Sequence, residues 1–256
     1  MEPKTPNRCP DDAFVEQRLF DLLKGQMERG NRGAVAGGSV FRYANRRSFA
    51  KLLAHYEVFK LVQAVPGHIV ELGVFKGESL LRFAQLAEIF LPYDRSFEVI
   101  GFDNFAGFPA LHPKDGPAVE RNDKGVGGWS SEAYRLELLD LINVFDNDRF
   151  APQKPRVRLI EGDIRDTLPR FIQSRPGLKT KLVHLDADLY EPTKLALEHL
   201  WDTLSPGGVL LLDEYGFDLF PGEAAAVDEF FAARNISLPM QKLPFSDNPG
   251  AFVVKA

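Results

Sequence analysis

KLVHLDADLYEPTKLALEHLWDTLSPGGVLLLDEY, residues 181–215, is the stretch that decides the fold. It opens on an apolar run closed by acids, KLVHLDAD (181–188), the pattern of a strand covered on both faces. EPTKLALEHLWDTL (191–204) follows with helical periodicity, and Pro192 stands in the first turn, where its missing N–H is harmless. GGVLLLDEY (207–215) is a second apolar run. Strand, helix and strand joined this closely predict a parallel β-α-β unit.

The same alternation extends outward. HIVELGV (68–74), FEVIGFD (97–103) and PRVRLIEGD (155–163) read as strands, and GESLLRFAQLAEIF (77–90), RDTLPRFIQS (165–174) and GEAAAVDEFFAARN (222–235) as helices. MQKLPF (240–245) and GAFVVKA (250–256) could pair as a terminal hairpin. Upstream, residues 1–12 read as a loose, proline-bearing arm, 13–29 as a helix and 30–40 as a mobile glycine-rich stretch. A second helix starts at Ser48 as its N-cap, carries the stripe Phe49, Leu52, Leu53, Tyr56, Phe59 and Leu61, and stops at Pro66–Gly67. The expectation is an α/β fold: a doubly wound, Rossmann-like sheet, mostly parallel with a C-terminal antiparallel hairpin, plus N-terminal helices. Residues 1–44 form an arm and helix suited to a lid or an oligomer contact, and 45–256 form the main domain. Residues 104–130, rich in glycine, proline and charge, break the rhythm as an irregular insertion.

Composition narrows the function. The 256 residues are 45% hydrophobic, enough for a substantial core. The net charge is −5 with no long basic tract, which argues against a nucleic-acid partner. The single cysteine, Cys9, excludes an intrachain disulfide framework and suits a reducing compartment. No run approaches a membrane span, and the first residues lack the apolar segment of a signal peptide, so the reading is cytoplasmic with no membrane partner.

The chemistry is concentrated at the strand ends. VIGFD, LIEGD, LVHLD and LLLDE finish on Asp103, Asp163, Asp186 and Asp213–Glu214. In a parallel sheet these ends share one edge, where ligands of open α/β sheets bind. A lone acid there usually caps the next helix, but a set of them needs a ligand or cation to offset the repulsion. ELGVFKGES (71–79) forms the first strand-to-helix turn. Gly73 and Gly77 permit close backbone approach, Glu71 could meet an ammonium, and Asp103 on the next strand could hold ribose hydroxyls. The turn is not GxGxxG, which favours an adenosine-type cofactor without a pyrophosphate over NAD. Asp186, Asp213 and Glu214 offer hard oxygen ligands suited to Mg²⁺, which could lower the pKa of a substrate hydroxyl. Asp186 or Asp188, taken as projecting to one side of an extended strand, could accept its proton. His184, inside an apolar strand, reads as a satisfied core histidine. His112, Phe108 and Trp129 in the insertion could face a substrate.

On these residues the chain resembles the macrocin O-methyltransferase family, class I S-adenosylmethionine-dependent methyltransferases that modify sugar hydroxyls in natural products. The resemblance runs from about residue 45 to 235, carried by VELGVFKGESL, GFDNFAGFP, EGDIRDTLP, HLDADLYEPTKLALEHLWDTLSPGGVLLLDEYG and PGEAAAVDEFF. It implies that Glu71, Gly73 and Ser79 hold the methionine part of the cofactor, and that Asp103, Asn104 and Phe105 bind ribose and adenine. It implies further that Asp163 and Ile164 contact the adenine amino edge, that Asp186 also borders the cofactor, and that Asp186, Asp213 and Glu214 ligate the metal. Many relatives read Asp-Asp where this chain reads Asp213–Glu214, so Glu214 is the departure from the pattern. The expected function is S-adenosylmethionine- and Mg-dependent O-methylation of a sugar or glycosylated small molecule, by a chain that could form a homo-oligomer. The alternatives are a catechol-type O-methyltransferase and a non-catalytic cofactor-binding protein on the same fold.

Overall fold

The most apolar runs occupy the middle of the sheet. In the computed structural model, which describes residues 12–28 and 39–256, six strands lie in the order β3-β2-β1-β4-β5-β6. They are β1 (His68–Leu72), β2 (Val99–Asp103), β3 (Val157–Glu161), β4 (Thr180–Leu185), β5 (Leu204–Leu212) and β6 (Ala251–Val254). β1 to β5 run parallel, and β6 pairs antiparallel with β5. Every residue of β4 is buried, as a strand covered on both faces requires. The predicted fold class is therefore the observed one. The expected arm (1–12) and glycine-rich stretch (30–40) lie outside the described residues, apart from residues 12, 39 and 40.

Alternation along each strand divides the core between the two faces. Val70 and Leu72 of β1 join Val183, Leu185, Leu197 and Val227 on one side. Helices α5 (Ile164–Ser174), α6 (Tyr190–Leu200) and α7 (Pro221–Ala233) cover that side. Ile69 of β1 faces the other side with Val58, Phe59, Leu80 and Phe83, from α2 (Arg46–Val62) and α3 (Glu78–Phe90). The remaining helices are α1 (Asp12–Glu28) and α4 (Arg135–Asp148). Among the described residues no helix is long and apolar enough to cross a membrane.

Three expectations change, and one helix was not foreseen. α2 is capped by Asn45, whose side chain accepts the Ser48 amide at 2.8 Å, so Ser48 lies inside the first turn and is not the cap. The terminal hairpin shrinks to β6 and one bridge, Gln241 to Phe252, because Pro239 and Pro244 cannot donate to a ladder. α4 lies where no element was expected, although Leu138, Ile142 and Phe145 recur at helical spacing on its packed side. β4 stops at Leu185, and Asp188 has φ 62, so its direction comes from a left-handed turn and not from an extended strand.

Candidate active site

The backbone ladder continues just beyond the strands and holds the acids in register. The Gly73 amide donates to the Phe102 carbonyl (3.0 Å), Asp186 to Leu72 (2.9 Å), Asp213 to Leu185 (3.0 Å) and Gly162 to Asp103 (2.9 Å). All of these residues but Leu185 border one cavity of about 1010 Å³ at the C-terminal edge. It opens where the chain order reverses, between β1 and β4, the usual ligand crevice of a doubly wound sheet. Its size is at the upper end for a single ligand pocket, which leaves room for a cofactor and an acceptor together.

Gly73, Ser79, Asp103, Asn104, Asp163 and Ile164 line one end. Gly73 has φ 86, and a Cβ there would lie 1.9 Å from the Asp186 carbonyl oxygen, so the turn admits no side chain. Asp103 accepts the Val74 and Phe75 amides on Oδ2, both at 2.7 Å, and the Phe105 amide on Oδ1 at 2.6 Å. The carboxylate fixes the turn after β1 and still borders the cavity. Asp163 combines both readings of a strand-end acid. It caps α5 by accepting the Arg165 amide at 2.8 Å, pairs with the Arg165 guanidinium, and lines the cavity.

Three expected site residues stand behind the cavity wall. Glu71 is fully buried, with Ser79 Oγ donating to Oε1 at 2.8 Å and His184 Nδ1 3.3 Å from Oε2. Gly77 is the left-handed residue before α3, and a Cβ on it would meet Leu138 Cδ1 at 2.2 Å, so it makes room for α4. Phe105, with φ 58, is buried in the core beside Val74 and Leu138. None of the three lines the cavity.

At the other end the acids form a charged centre. Asp186, Asp188 and Glu214 each offer an oxygen within 4.8 Å of the others. Asp213 is spoken for: Lys51 Nζ is 2.7 Å from Oδ2, Asn248 Nδ2 is 3.0 Å from Oδ2, and His184 Nε2 is 3.3 Å from Oδ1. Burial works against the Asp213 charge, yet Lys51 and His184 hold its carboxyl well below the usual carboxylate range. The partners respond in kind. Burial lowers the His184 pKa, but Asp213 and Glu71 more than offset this and raise it to about 10. Burial likewise opposes the Lys51 charge, while Asp186 and Asp213 keep the ammonium firmly protonated. Burial and then Asp213 push Asp186 up to about 6. Asp188, raised by burial and Asp186, and Glu214, raised by burial and Asp188, sit well above the carboxylate range.

These shifts and the orphaned Glu214 Oε2, which is buried without a partner among the described residues, test whether a divalent cation suits the site. An all-oxygen set of crowded carboxylates is what Mg²⁺ requires, and the residues fit it. The three oxygens that lie together are those of Asp186, Asp188 and Glu214, while Asp213, expected in the set, is paired with Lys51 and His184. Beneath the three, Glu223 is fully buried and accepts the Glu214 amide at 2.9 Å, which steers the Glu214 side chain.

The insertion forms a pinned wall. Asp115 is 1% exposed; its Oδ2 accepts the His112 amide at 2.7 Å and its Oδ1 the Tyr190 amide of α6 at 2.7 Å. Lys124 donates to the Asp115 carbonyl, and to the Leu219 carbonyl at 2.6 Å. His112 stacks on Tyr190 with centroids 4.5 Å apart, and Phe108, Leu189 and Phe220 pack as an apolar cluster facing the cavity.

Sequence reasoning missed Lys51 and Glu223; His184, expected as a satisfied core histidine, is fully buried with both ring nitrogens partnered, by Glu71 and by Asp213.

Sheet order, the crevice at the β1/β4 reversal and the acids around it define a Rossmann-like methyltransferase. The model of the macrocin-O-methyltransferase (TylF) family matches residues 46–253, and the chain belongs to that family. It is an O-methyltransferase. It is 31% identical over 197 residues (75% of this chain, 67% of the relative) to the 8-demethyl-8-(2,3-dimethoxy-alpha-L-rhamnosyl)-tetracenomycin-C 4′-O-methyltransferase of Streptomyces olivaceus. It is 29% identical over 187 residues (72% and 68%) to the mycinamicin III 3″-O-methyltransferase of Micromonospora griseorubida. Among solved structures, the calicheamicin methyltransferase CalS11 superposes with a TM-score of 0.83 at 28% identity, over 97% of this chain and 94% of that one. A second structure of CalS11 describes it as a TDP-rhamnose 3′-O-methyltransferase.

Proposed function

We propose that the chain transfers the methyl group of S-adenosylmethionine to a hydroxyl of a sugar-bearing small molecule, with Mg²⁺ at the acid centre. The observation that carries this reading is the large cavity bordered both by Gly73 and Asp103 and by the Asp186, Asp188 and Glu214 centre. Relatives that act on sugar-containing natural products or on a nucleotide-linked sugar support the acceptor class. The reading keeps the protein in the cytoplasm, in line with its one cysteine.

In this account Gly73 lets the cofactor approach the turn after β1, Ser79 borders its amino-acid end, and Asp103 faces its ribose. Asp163 and Ile164 stand at the adenine end. Asp186, Asp188 and Glu214 would hold the metal. When bound, S-adenosylmethionine supplies an electrophilic methyl, and Mg²⁺ lowers the pKa of the acceptor hydroxyl. The wall of Phe108, Leu189 and Phe220 excludes water and faces the body of the acceptor. Asp186 or Asp188 would accept the hydroxyl proton on a carboxylate oxygen, and the cofactor would supply the methyl carbon, its sulfur leaving as a neutral thioether when the methyl–sulfur bond breaks. Alignment of the acceptor oxygen with the methyl is the main task of the chain, and such positioning is worth several kcal/mol.

Calorimetry with S-adenosylmethionine and with NAD, each with and without Mg²⁺, tests the reading. It expects S-adenosylmethionine to bind and NAD not to. Binding of NAD alone would sink it.

A further inference from the structure

Among the described residues, α1 meets the rest of the chain chiefly through the 3-10 turn Ser39–Tyr43. Leu19, Phe20 and Leu23 share a hollow with Tyr43. Even so, Phe14 and Phe20 are 70% and 60% exposed, and Val15 and Leu22 are exposed with them. Helices owe most of their stability to a packed apolar face, and α1 packs little of its own on this chain. The main domain carries a second bare surface. On α2, Phe49 and Leu53 are exposed and share a face with Tyr56, at i, i+4 and i+7. Tyr56 stacks on Phe90 at the end of α3, with centroids 5.6 Å apart, and Ile89 beside it is 68% exposed. Tyr93 and Phe150, 72% and 69% exposed, meet edge-on at 4.9 Å just beyond α3. None of these residues lines the cavity.

Single exposed apolar side chains are ordinary, but a set of them dominated by aromatics marks an interface. An aromatic side chain buries about 150–250 Å². The two surfaces together therefore offer an area on the order of the ~800 Å² per partner that a stable dimer needs. Their charges also match. α1 has four acids, Asp12, Glu16, Asp21 and Glu28, against two bases, Arg18 and Lys24, a net −2. α2, with Lys51 turned to the acid centre, has three bases, Arg46, Arg47 and Lys60, against one acid, Glu57, a net +2. From this match we propose that the protein is a two-fold dimer in which α1 of each copy lies on the α2–α3 face of the other. Every chain carries both surfaces, so one two-fold axis covers all four at once, the isologous arrangement. The acid excess of α1 is the opposite of the basic polar face with which a helix lies on a membrane. The inference goes beyond the proposed chemistry and does not rest on it. It still bears on the site, because α2 presents Ala50 and Lys51 to the cavity and the partner's α1 would back that helix.

Sedimentation velocity of the full chain reads the mass, and a species of twice the 28.7 kDa chain is expected at micromolar concentration. Phe20→Asp and Leu53→Asp, one on each surface, should each raise the dissociation constant at least ~30-fold, the scale of losing a buried interface anchor. Cross-linking identifies the pairing. Cys9, the only native cysteine, is first replaced (Cys9→Ser). Chains with Phe14→Cys are then mixed with chains with Leu53→Cys and treated with a short bis-maleimide. A product joining positions 14 and 53 of two different chains is expected, identified by mass spectrometry. A monomeric wild type overturns the proposal, and so does a dimer that neither Asp variant weakens. If a chain carrying both Phe14→Cys and Leu53→Cys is joined only within itself, α1 covers its own domain and the proposal falls. Should the Asp variants fail to fold, the mass of the wild type and the mixed cross-link still decide.

Discussion

Asp103 shows how one side chain can hold the fold and still face a cavity. It ties three backbone amides, those of Val74, Phe75 and Phe105, and still borders the cavity. Asp103→Asn should therefore weaken S-adenosylmethionine by ~1–3 kcal/mol, the range for losing hydrogen bonds to a charged group. Calorimetry reads this directly, and unchanged affinity would remove Asp103 from the cofactor site. Gly73→Ala is a harsher change, because its Cβ would meet the Asp186 carbonyl oxygen at 1.9 Å, backbone that cannot yield. The left-handed φ alone costs about 1–2 kcal/mol, so this variant should lose both cofactor binding and several degrees of melting temperature. The acids were readable from sequence because each closes an apolar run. Lys51 was not, for its partners lie 135 and 162 residues away and no local pattern encodes such a pair. Asp213 was readable in type and place, but the cations beside its oxygens, Lys51 and His184, were not.

At the scale of elements, the legible parts were those whose burial is periodic. The strands and the helices α2, α3, α5, α6 and α7 announce themselves through apolar runs or stripes, whereas α4 exposes Leu136, Leu139, Leu141 and Val144, which blur the stripe of Leu138, Ile142 and Phe145. The insertion read as irregular, which it is, but its rigidity depends on Asp115 bridging His112 to the start of α6. Asp115→Ala should free this wall. Acceptor KM should rise several-fold while cofactor affinity holds; a parallel loss of cofactor affinity would show that the insertion supports the whole site. A separate tie joins β2 to its neighbours: Glu98, 8% exposed, accepts from Arg158 at 2.9 Å and Arg175 at 2.7 Å. Burial opposes the Glu98 charge, but the two guanidiniums lower its pKa below the usual value. Its contribution is thus present above the unfolded glutamate pKa of about 4.3 and is lost as pH falls through the depressed folded value. Glu98→Gln should lower stability at neutral pH and flatten the acid limb of the unfolding profile, measured by denaturant titration from pH 7 to 3.

For the whole molecule, the doubly wound order places β1 and β4 side by side and brings carboxylates from four strand ends to one crevice. The Gly73–Asp103 end and the acid centre both border one cavity. Family membership gives the reaction class, and the cavity gives it a place. The most direct measurement is transfer of labelled methyl from S-adenosylmethionine to a panel of hydroxylated sugars, nucleotide sugars and glycosides, run with Mg²⁺, with EDTA, and with Asp186→Asn. The account predicts label on a sugar hydroxyl with Mg²⁺, and loss of at least ~10²-fold in EDTA or in the variant, the scale of removing metal and proton-transfer assistance. Full transfer in EDTA, or by Asp186→Asn, would contradict it.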